Sequence, residues 1–361
     1  MEKKSLKKFF RGKKILITGH TGFKGAWLAQ ILLNWDAKIC GCALTPNTNP
    51  NLFNILNLKD YIEHHQADIR NFHQLNRIVK KFKPDIIFHL AAQALVRNSY
   101  DNPRSTYTTN VIGTINVLEA IRLNNIRAGI IITTDKVYQD LEKNVAFKED
   151  DRLGGYDPYS NSKACADLAV NSHIHSFFNF KDNQAGNYPL VASARSGNVI
   201  GGGDWNKDRL LPDLIRAFFI NNQNLVIRSP DAIRPWQYVL EPLRGYLLLA
   251  QSLYEGHIDK MGPWNFGPQD ESMLDVVSVV NMAIDFLKKG SFTVSEDSSK
   301  HETKILKLDN SKAIHNLKWK PKLNVAKAIR ETLLWYKTFY LNKIDMQAYT
   351  TRQINRYFNI R

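Results

Sequence analysis

The sequence predicts an α/β fold: a doubly wound parallel sheet of the Rossmann type, with a smaller C-terminal substrate-binding lobe. Three observations predict it. A short apolar segment at 14–18 runs directly into a glycine-rich loop, strand and helix patterns then alternate as far as residue 195, and the alternation becomes irregular beyond that point. Such alternation favours parallel strands with helices on both faces of the sheet.

The composition is that of an ordinary globular protein, since 43% of the 361 residues are hydrophobic and 23% are charged. No apolar run reaches the ~20 residues that span a bilayer. The basic start of the chain also lacks the apolar core of a signal peptide. We therefore expect a cytoplasmic protein that does not enter the membrane. Cys40, Cys42 and Cys165 are too few for a disulfide framework and lack companions for zinc, so no metal site is predicted.

The formal net charge of +15 favours anionic partners such as nucleotides or phosphates. Lysines and arginines are concentrated in the first 14 residues and in the C-terminal third. Neither region carries a nucleic-acid recognition motif, so a generally basic surface is the preferred interpretation and no nucleic-acid partner is predicted.

The glycine-rich loop is the first candidate site. A strand at 14–18 leads into Gly19, Gly22 and Gly25, and an apolar helix follows at 26–34. Glycines at this spacing let a pyrophosphate approach the backbone at a helix N-terminus, which predicts a dinucleotide site. The next strand, at 38–44, continues into Thr45-Pro46-Asn47 without the usual acidic residue. No arginine stands there to bind a 2′-phosphate either, so NAD is preferred to NADP.

Further strands are predicted at 61–66, 85–89, 129–133 and 190–194, and helices at 72–82, 106–123 and 157–178. A charged connection at 141–151 is predicted to be a flap or surface loop. Ligands of doubly wound sheets lie beyond the carboxyl ends of the strands. Those ends carry the segments Asp68-Ile69-Arg70, Leu90-Ala91-Ala92-Gln93 and Thr134-Asp135-Lys136.

Tyr159 and Lys163 stand one helical turn apart and share a face of the predicted helix. An ammonium beside a phenol favours the phenolate and lowers a pKa that is ordinarily ~10, which would make Tyr159 a general base. Thr134, Asp135 and Lys136 add a hydroxyl, a carboxyl and an amine at the same edge of the sheet. The alternatives are a solvated helix face for the first pair and a polar turn for the other three residues.

The second lobe carries glycines at 201–203 and four scattered arginines, Arg209, Arg216, Arg228 and Arg234, near Trp236. Arginine forks pair with phosphate oxygens, so these residues predict a nucleotide-diphosphate pocket. The expected domains are 13–195, mainly for dinucleotide binding, and 196–340, mainly for substrate, with the two lobes interleaved. An amphipathic helix is predicted at 325–340, and no role is predicted for the tail at 341–361.

These segments together resemble the extended short-chain dehydrogenase/reductase family over residues 13–338. The resemblance rests on the Gly19 to Gly25 loop, Asp68-Ile69-Arg70, His89-Leu90-Ala91-Ala92, Asn110 with Gly113-Thr114, and Tyr159 with Lys163 after Thr134. Within the family the sequence is most similar to the branch that dehydrates CDP-glucose, through Gly19-His20-Thr21-Gly22-Phe23-Lys24-Gly25, Thr134-Asp135-Lys136, the segment 155–163, Gly201-Gly202-Gly203-Asp204-Trp205 and Ile233-Arg234-Pro235-Trp236-Gln237.

The resemblance implies a redox-neutral, NAD-dependent lyase of deoxysugar biosynthesis for surface polysaccharide. Tyr159 would take the proton of the sugar 4-hydroxyl as hydride leaves C4 for NAD⁺, a base would remove the C5 proton, Asp135 would protonate the departing 6-hydroxyl, and hydride would return to C6. The implied product is CDP-4-keto-6-deoxyglucose. The family also implies a homodimer or homotetramer, usually built on the helices at 106–123 and 157–178.

The resemblance assigns residues to three roles. Catalysis falls to Thr134, Asp135, Lys136, Tyr159 and Lys163. Cofactor binding falls to Gly19, Thr21, Gly22, Phe23, Gly25, Asp68, Ile69, Leu90, Ala91, Ala92 and Asn110, together with Tyr159 and Lys163. Substrate binding falls to Gln93, Asn198, Arg209, Arg228 and Arg234.

Two departures from the family pattern bear on these assignments. Lys136 stands where the dTDP-glucose relatives carry glutamate, so our hypothesis is that Lys136, in its neutral form, is the C5 base. His20 in the glycine loop and the missing acid near Thr45 together predict weak NAD binding. The alternatives are another nucleotide-sugar 4,6-dehydratase, or a 4-epimerase or reductase, which needs no acid at 135. A further alternative is a catalytically silent NAD-binding regulator or a basic nucleic-acid-associated protein of the same fold.

Overall fold

The computed structural model describes residues 5–139, 146–178, 188–269, 272–295 and 306–360. Its strands are β1 Lys14–Thr18, β2 Lys38–Ala43, β3 Glu63–Gln66, β4 Ile86–His89, β5 Ala128–Ile132, β6 Ala146–Phe147, β7 Leu190–Arg195, β8 Val199–Ile200, β9 Leu225–Ile227, β10 Ile233–Pro235, β11 Gln237–Tyr238, β12 Gly262–Asn265, β13 Met273–Asp275, β14 Phe292–Val294 and β15 Lys307–Leu308.

The α-helices are α1 Leu6–Phe10, α2 Phe23–Asn34, α3 Leu52–Ile55, α4 Phe72–Phe82, α5 Val96–Asp101, α6 Pro103–Tyr107, α7 Gly113–Leu123, α8 Pro158–Phe177, α9 Leu210–Ile215, α10 Leu240–Tyr254, α11 Val276–Leu287, α12 Ser311–Leu317, α13 Val325–Leu341 and α14 Met346–Phe358. Short 3₁₀ turns occupy Leu58–Asp60, Asp135–Val137 and Ile258–Lys260, and π-helical turns occupy Thr108–Ile112 and Arg216–Asn221.

Within the described residues, the central sheet has the strand order β12-β7-β5-β4-β1-β2-β3, and every pairing in it is parallel. The predicted doubly wound sheet is therefore confirmed. The order reverses between β1 and β4, whose carboxyl ends lie side by side because Ile15 pairs with Ile86 and Thr18 with His89. Ligands of such sheets bind at this reversal. Two apolar clusters cover the two faces of the sheet.

Local sequence explains the helices that frame the reversal. At α8, the Asp157 side chain accepts a hydrogen bond from the Ser160 N–H at 3.0 Å, and Pro158 occupies the first helical position. At α4, Asn71 caps the helix in the same way, and the predicted bounds of 72–82 match. The predicted helix at 106–123 is instead divided into α6, a π-helical turn and α7.

Strand β12 extends the central sheet by pairing with β7, although it lies well beyond residue 195. Helix α10 packs beneath β5 and β7. The remaining strands form two-stranded pairs, among them β6 with β15 and β10 with β13. Of the predicted flap at 141–151, residues 141–145 lie outside the described residues.

The C-terminal tail is a helix that packs on the core. α14 lies against α2 and α13. The Trp335 indole N–H donates to the Thr350 hydroxyl at 2.9 Å, and the Tyr357 hydroxyl donates to the buried carboxyl of Glu241 at 2.6 Å. The tail, for which the sequence predicts no role, thus closes one side of the large apolar cluster.

None of the helices in the described parts of the chain is both long enough and apolar enough to cross a bilayer.

The hydrogen bond from Tyr357 to Glu241 allows a test of how the tail stabilises the fold. Glu241 is fully buried and also accepts from the N–H groups of Lys322 at 2.9 Å and Leu323 at 2.8 Å. Tyr357→Phe removes one donor from a buried carboxyl, so we expect the free energy of unfolding to fall by about 1–3 kcal/mol in urea titrations. Tyr349→Phe on the same helix, where the ring is half-buried, is the control. Equal losses in the two variants would contradict this account.

Candidate active site

The loops after β1 and β4 touch at the strand reversal. Gly19 follows β1 with φ +76°, and a Cβ there would lie 2.5 Å from the backbone nitrogen of Ala91. The Ala91 N–H in turn donates to the Thr18 hydroxyl at 3.3 Å. Only glycine fits this close approach in this conformation. Gly25 is equally constrained, because its Cβ would lie 2.2 Å from the Gly19 carbonyl oxygen.

The glycine loop suits a pyrophosphate. Gly22 precedes α2 in an extended conformation, and no side chain caps the helix. The N–H groups of the first turn are therefore left for an anionic ligand, and the helix dipole favours negative charge there. Thr21 supports the loop from below, since its hydroxyl donates to the Leu44 carbonyl at 2.9 Å. The residues present thus fit a dinucleotide.

Other predicted cofactor residues surround this loop in supporting positions. Asp68 forms an ion pair with Arg70 at 2.6 Å, which lowers the pKa of the carboxyl. Ile69 packs against Gly113, where a Cβ would lie 2.4 Å from its side chain. Leu90, Ala91 and Ala92 are half-buried after β4.

The Asn110 side chain is buried and fixes the loop after β4. Its oxygen accepts from the Gln93 N–H at 2.9 Å, and its nitrogen donates to the Gln93 carbonyl at 3.0 Å and to the Ser162 hydroxyl at 2.9 Å. Asn110 therefore joins the end of β4 to α8. The Gln93 side chain is used in its own turn, through bonds with Leu95 and Thr106, and does not line the cavity described next.

A cavity of about 380 Å³ opens beyond the carboxyl ends of the strands. It brings together most of the residues predicted for catalysis and substrate binding. Its lining includes Phe23, Thr134, Asp135, Lys136, Tyr159, Asn198, Arg209, Arg228 and Arg234. Residues from both predicted lobes therefore meet at one cavity, and Lys163 lies buried behind its wall.

One hydroxyl joins the phenol and the carboxyl in this cavity. The Thr134 hydroxyl donates to Asp135 Oδ1 at 3.0 Å, and it lies near enough to the Tyr159 phenol for hydrogen bonding to it to lower the pKa of that phenol. All three side chains are at most 9% exposed. A short proton path thus runs from Tyr159 through Thr134 to Asp135, with Lys136 as the next residue along the chain.

The predicted effect of Lys163 on Tyr159 is wrong for the protein alone. The Lys163 ammonium donates to the Ile132 carbonyl at 3.0 Å, and burial, reinforced by Lys24, lowers the pKa of Lys163 to about 7. Burial raises the pKa of Tyr159 to about 12, although the bond to Thr134 opposes the rise. Loss of water from around the phenol outweighs any stabilisation of the phenolate by the neighbouring lysine.

Asp135 is fitted into its position by a glycine. A Cβ on Gly197 would lie 1.7 Å from Asp135 Oδ2, so no other residue at 197 admits the carboxyl. Burial raises the pKa of Asp135, while Lys136 and the Thr134 hydroxyl act against the rise. The Oδ2 atom has no hydrogen-bond partner among the described residues. A buried carboxyl with a raised pKa is suited to donate a proton.

Three of the four predicted arginines, Arg209, Arg228 and Arg234, line the cavity, whereas Arg216 pairs with Asp213 and does not line it. Two of the three form ion pairs there. Arg209 donates to Asp204 at 2.7 Å and Arg228 to Asp208 at 2.9 Å. Arg234 extends from β10 towards Asp135 closely enough to affect its pKa. Asn198 adopts a left-handed backbone, with φ +46°. Asn47, which follows β2 where the usual acidic residue is missing, donates to Asn206 at 3.0 Å.

Lys24 is a residue of this cavity that the sequence assignments miss. It lies in the first turn of α2, where the helix dipole disfavours a cation. Burial, reinforced by Arg209, lowers its pKa to about 8, and it also lies within electrostatic reach of Asp135. The sequence signal that could have identified Lys24 is a charged residue in the first turn of an otherwise apolar helix.

A second missed feature supports the cavity from behind. Arg195 is buried and donates to both carboxylate oxygens of Asp167 at 2.9 Å, and it donates to the Tyr138 hydroxyl at 2.7 Å. This buried ion pair ties β7 to α8, the helix that carries Tyr159. Its partners lie far apart in sequence, so no local pattern could reveal it.

Comparison with known proteins assigns the family. The family model described as GDP-mannose 4,6 dehydratase matches residues 16–332. The chain belongs to this family. This family member is 44% identical over 355 residues to the CDP-glucose 4,6-dehydratase of Salmonella typhimurium, with 98% of each chain covered. It is 27% identical over 366 residues to the dTDP-glucose 4,6-dehydratase of the same organism, covering 93% of this chain and 96% of the relative.

Solved structures share the fold of this GDP-mannose 4,6 dehydratase family member. The UDP-glucose 4-epimerase of Thermotoga maritima with UDP-glucose has a TM-score of 0.77 at 19% identity, covering 90% of this chain and 99% of that chain. The dTDP-glucose 4,6-dehydratase of Bacillus anthracis in complex with NAD has a TM-score of 0.74 at 23% identity, covering 91% of this chain and 97% of that chain. The predicted short-chain dehydrogenase/reductase fold is confirmed.

Buried histidines beside the glycine loop predict a loss of stability in acid. His89 lies between the hydroxyls of Thr18 at 2.7 Å and Thr114 at 3.0 Å, and burial lowers its pKa to about 3. The unfolded chain therefore binds the proton first, at pH ~6.5. The free energy of unfolding should fall as the pH decreases from about 6.5 to 3, by at most about 1.4 kcal/mol per pH unit for this histidine.

Urea titrations across this pH range measure the effect. His89→Gln should show a shallower decrease than the unmodified protein. His175→Gln, which changes an exposed histidine on α8, should leave the decrease unchanged. The same slope in all three proteins would show that His89 does not resist protonation in the folded state.

Proposed function

We propose that the chain is an NAD-dependent lyase that converts CDP-glucose to CDP-4-keto-6-deoxyglucose and water. One observation carries the proposal: a buried carboxyl, Asp135, is joined through the Thr134 hydroxyl to the phenol of Tyr159 in a cavity at the strand reversal. A 4-epimerase uses the phenol but needs no acid beside it. Burial raises the pKa of Asp135, which favours the proton-bearing form that loss of the 6-hydroxyl requires.

NAD would be held by the glycine loop from Gly19 to Gly25, with its pyrophosphate at the start of α2. Bound there, it would accept the hydride from C4 of the sugar and return it to C6 within one turnover. His20 is fully buried in this loop and donates to or accepts from His64 at 2.7 Å. The weak NAD binding expected from His20 and from the missing acid after β2 remains a prediction.

The side chains supply the proton transfers. Tyr159 acts in its phenolate form, which hydrogen bonding from Thr134 stabilises, and removes the proton of the sugar 4-hydroxyl. The resulting 4-keto group acidifies the C5–H bond, and Lys136, half-buried in the cavity wall, takes that proton as a neutral amine. Asp135 donates a proton to the 6-hydroxyl, which leaves as water. Arg209, Arg228 and Arg234 are proposed contacts for the nucleotide diphosphate.

The cytosine base is proposed because the relative that is 44% identical over nearly the full length is named CDP-glucose 4,6-dehydratase. The test is to incubate the purified protein with NAD⁺ and, in parallel, CDP-glucose, dTDP-glucose or UDP-glucose, and to follow the loss of one water by mass spectrometry. Loss from CDP-glucose alone supports both the reaction and the base. An inverted 4-hydroxyl without loss of water would favour the epimerase, and no reaction with any substrate would contradict the proposal.

Three substitutions separate the proposed proton transfers. Asp135→Asn should lower the rate of water loss by roughly 10²–10⁴-fold, because the proton donor is gone. It should retain exchange of the C5 proton with deuterated water. Lys136→Met should lose that exchange, and Tyr159→Phe should lose exchange and water loss together, because no 4-keto group forms.

Nuclear magnetic resonance of the substrate pool measures C5 exchange, and mass spectrometry measures water loss. Normal exchange in Lys136→Met would remove Lys136 as the base. Normal water loss in Asp135→Asn would remove Asp135 as the acid and, with it, the main reason to prefer a dehydratase.

We also propose that the protein is a homodimer or homotetramer. We propose the cytoplasm as its location because the proposed cofactor and substrate are water-soluble. The support for self-association is a row of exposed apolar side chains on α7, α8 and the turn before α7. It consists of Ile112, Leu123, Leu168 and Phe177, each between 48% and 54% exposed. Exposed apolar groups on adjacent helices are typical of an interface.

Leu168→Asp tests this surface. A charge in the middle of the row should shift the protein towards the monomer, because burying an unpaired carboxylate is costly. Leu341→Asp is the matched control, since Leu341 is 62% exposed at the end of α13. Light scattering at several protein concentrations gives the mass. A monomeric unmodified protein, or an unchanged mass for Leu168→Asp, would contradict the assignment of the interface.

A further inference from the structure

A second cavity, of about 470 Å³, lies between β11, α13 and α14. Of the residues that the structure describes, none lines both this cavity and the active-site cavity. Its volume lies in the range of small-molecule sites. The tail helix α14 forms one wall, so the cavity exists only because the tail is docked.

The lower part of this second cavity contains two polar atoms without partners. Tyr238 and Gln353 are both 2% exposed and both line it. Among the described residues, neither the Tyr238 hydroxyl nor Gln353 Oε1 has a hydrogen-bond partner. The Gln353 nitrogen is held at 3.0 Å by the Glu331 carbonyl and carboxylate, which leaves its oxygen free to accept. Unsatisfied buried groups cost stability, and a bound polar group would remove that cost.

The rim of the second cavity is strongly basic. Lys322, Lys327, Arg330 and Arg356 line it, against a single acid among the described residues, Glu331. Glu331 is already paired with Arg356 at 3.3 Å.

Two of these rim cations remain uncompensated. Lys327 and Arg330 lie three residues apart on α13, where like charges repel. Neither side chain forms an ion pair within the part of the chain that the structure describes. An anion between them would turn this repulsion into attraction.

Apolar groups complete the wall between the rim and the two buried polar atoms. Leu323 and Leu334 are half-buried and face the cavity, and Tyr357 is buried in it. The arrangement combines an apolar wall, a basic rim and two buried hydrogen-bonding atoms. If only water filled the cavity, the apolar wall would have no apolar partner and the positive charges of the rim would have no counter-charge.

We propose that this second cavity binds an amphiphilic anion, a small molecule with an apolar or aromatic body and one carboxylate, sulfonate or phosphate group. The body packs against Leu323, Leu334 and Tyr357. The acid group lies at Lys327 and Arg330, and a polar group of the ligand reaches Tyr238 and Gln353. The basic C-terminal region and the tail thereby acquire a binding role separate from the chemistry at Asp135.

The test uses 8-anilinonaphthalene-1-sulfonate, an aromatic anion whose fluorescence rises on binding, with the full-length protein. The double variant Lys327→Glu/Arg330→Glu should bind it at least about tenfold more weakly. Lys337→Glu, which reverses an exposed charge on the same helix outside the cavity, should change the affinity less than twofold. Because both proteins keep the active-site cavity, any probe bound there cancels in the comparison. Equal affinity in the two would overturn the proposal.

Competition distinguishes the kinds of anion. Octanoate and octyl phosphate should displace the probe from the Lys337→Glu control, and because both carry the same alkyl chain, the stronger of the two identifies the preferred acid group. Displacement by 1-octanol as effective as by octanoate would overturn the requirement for an anion. Leu334→Trp fills the apolar part of the cavity and should abolish the same binding while circular dichroism shows an unchanged fold. Retained binding in that variant would place the ligand elsewhere and overturn the site.

Discussion

The hydroxyl of Thr134 lies between the phenol of Tyr159 and the carboxyl of Asp135, and the chemistry of the cavity depends on it. A hydroxyl carries one hydrogen. Thr134 therefore donates to Asp135 when the carboxyl is ionised and to Tyr159 when the phenolate forms. Burial disfavours the carboxylate of Asp135 and the phenolate of Tyr159, and it raises both pKa values. The Thr134 hydroxyl lowers each pKa and so offsets part of the cost of burying whichever of the two charges is present. The fold serves this contact by ending β5 beside the start of α8.

Much of the fold could be predicted, because its signals are local. Strands β1, β2, β4 and β5 are continuous apolar segments, and α4 and α8 carry a cap or a proline at their first residues. Tertiary pairing could not be predicted. β12 joins the sheet only through β7, some 70 residues earlier in the chain. The tail helix α14 has few aliphatic residues, and it docks through contacts with elements distant in sequence, such as its packing in the large apolar cluster and the hydrogen bond of Tyr357 to Glu241.

The site could be predicted where the functional groups lie in one continuous segment of the sequence, as in Gly19 to Gly25 or Thr134 to Lys136. It was not predictable where a role depends on neighbours distant in sequence. Gln93 is occupied by its own turn, and Gly197 admits Asp135 only because two strand ends converge. The prediction for the pKa of Tyr159 is wrong because helical spacing reports the distance to Lys163 but not the loss of water around the phenol.

The most direct measurement of the central claim compares Thr134→Val with Thr134→Ser. Valine keeps the shape and removes the hydroxyl, whereas serine keeps the hydroxyl. If one hydroxyl serves both Tyr159 and Asp135, Thr134→Val should slow both C5 exchange and water loss from CDP-glucose by at least about tenfold, and Thr134→Ser should restore both. Normal rates in Thr134→Val, or slowing of only one of the two steps, would contradict the account.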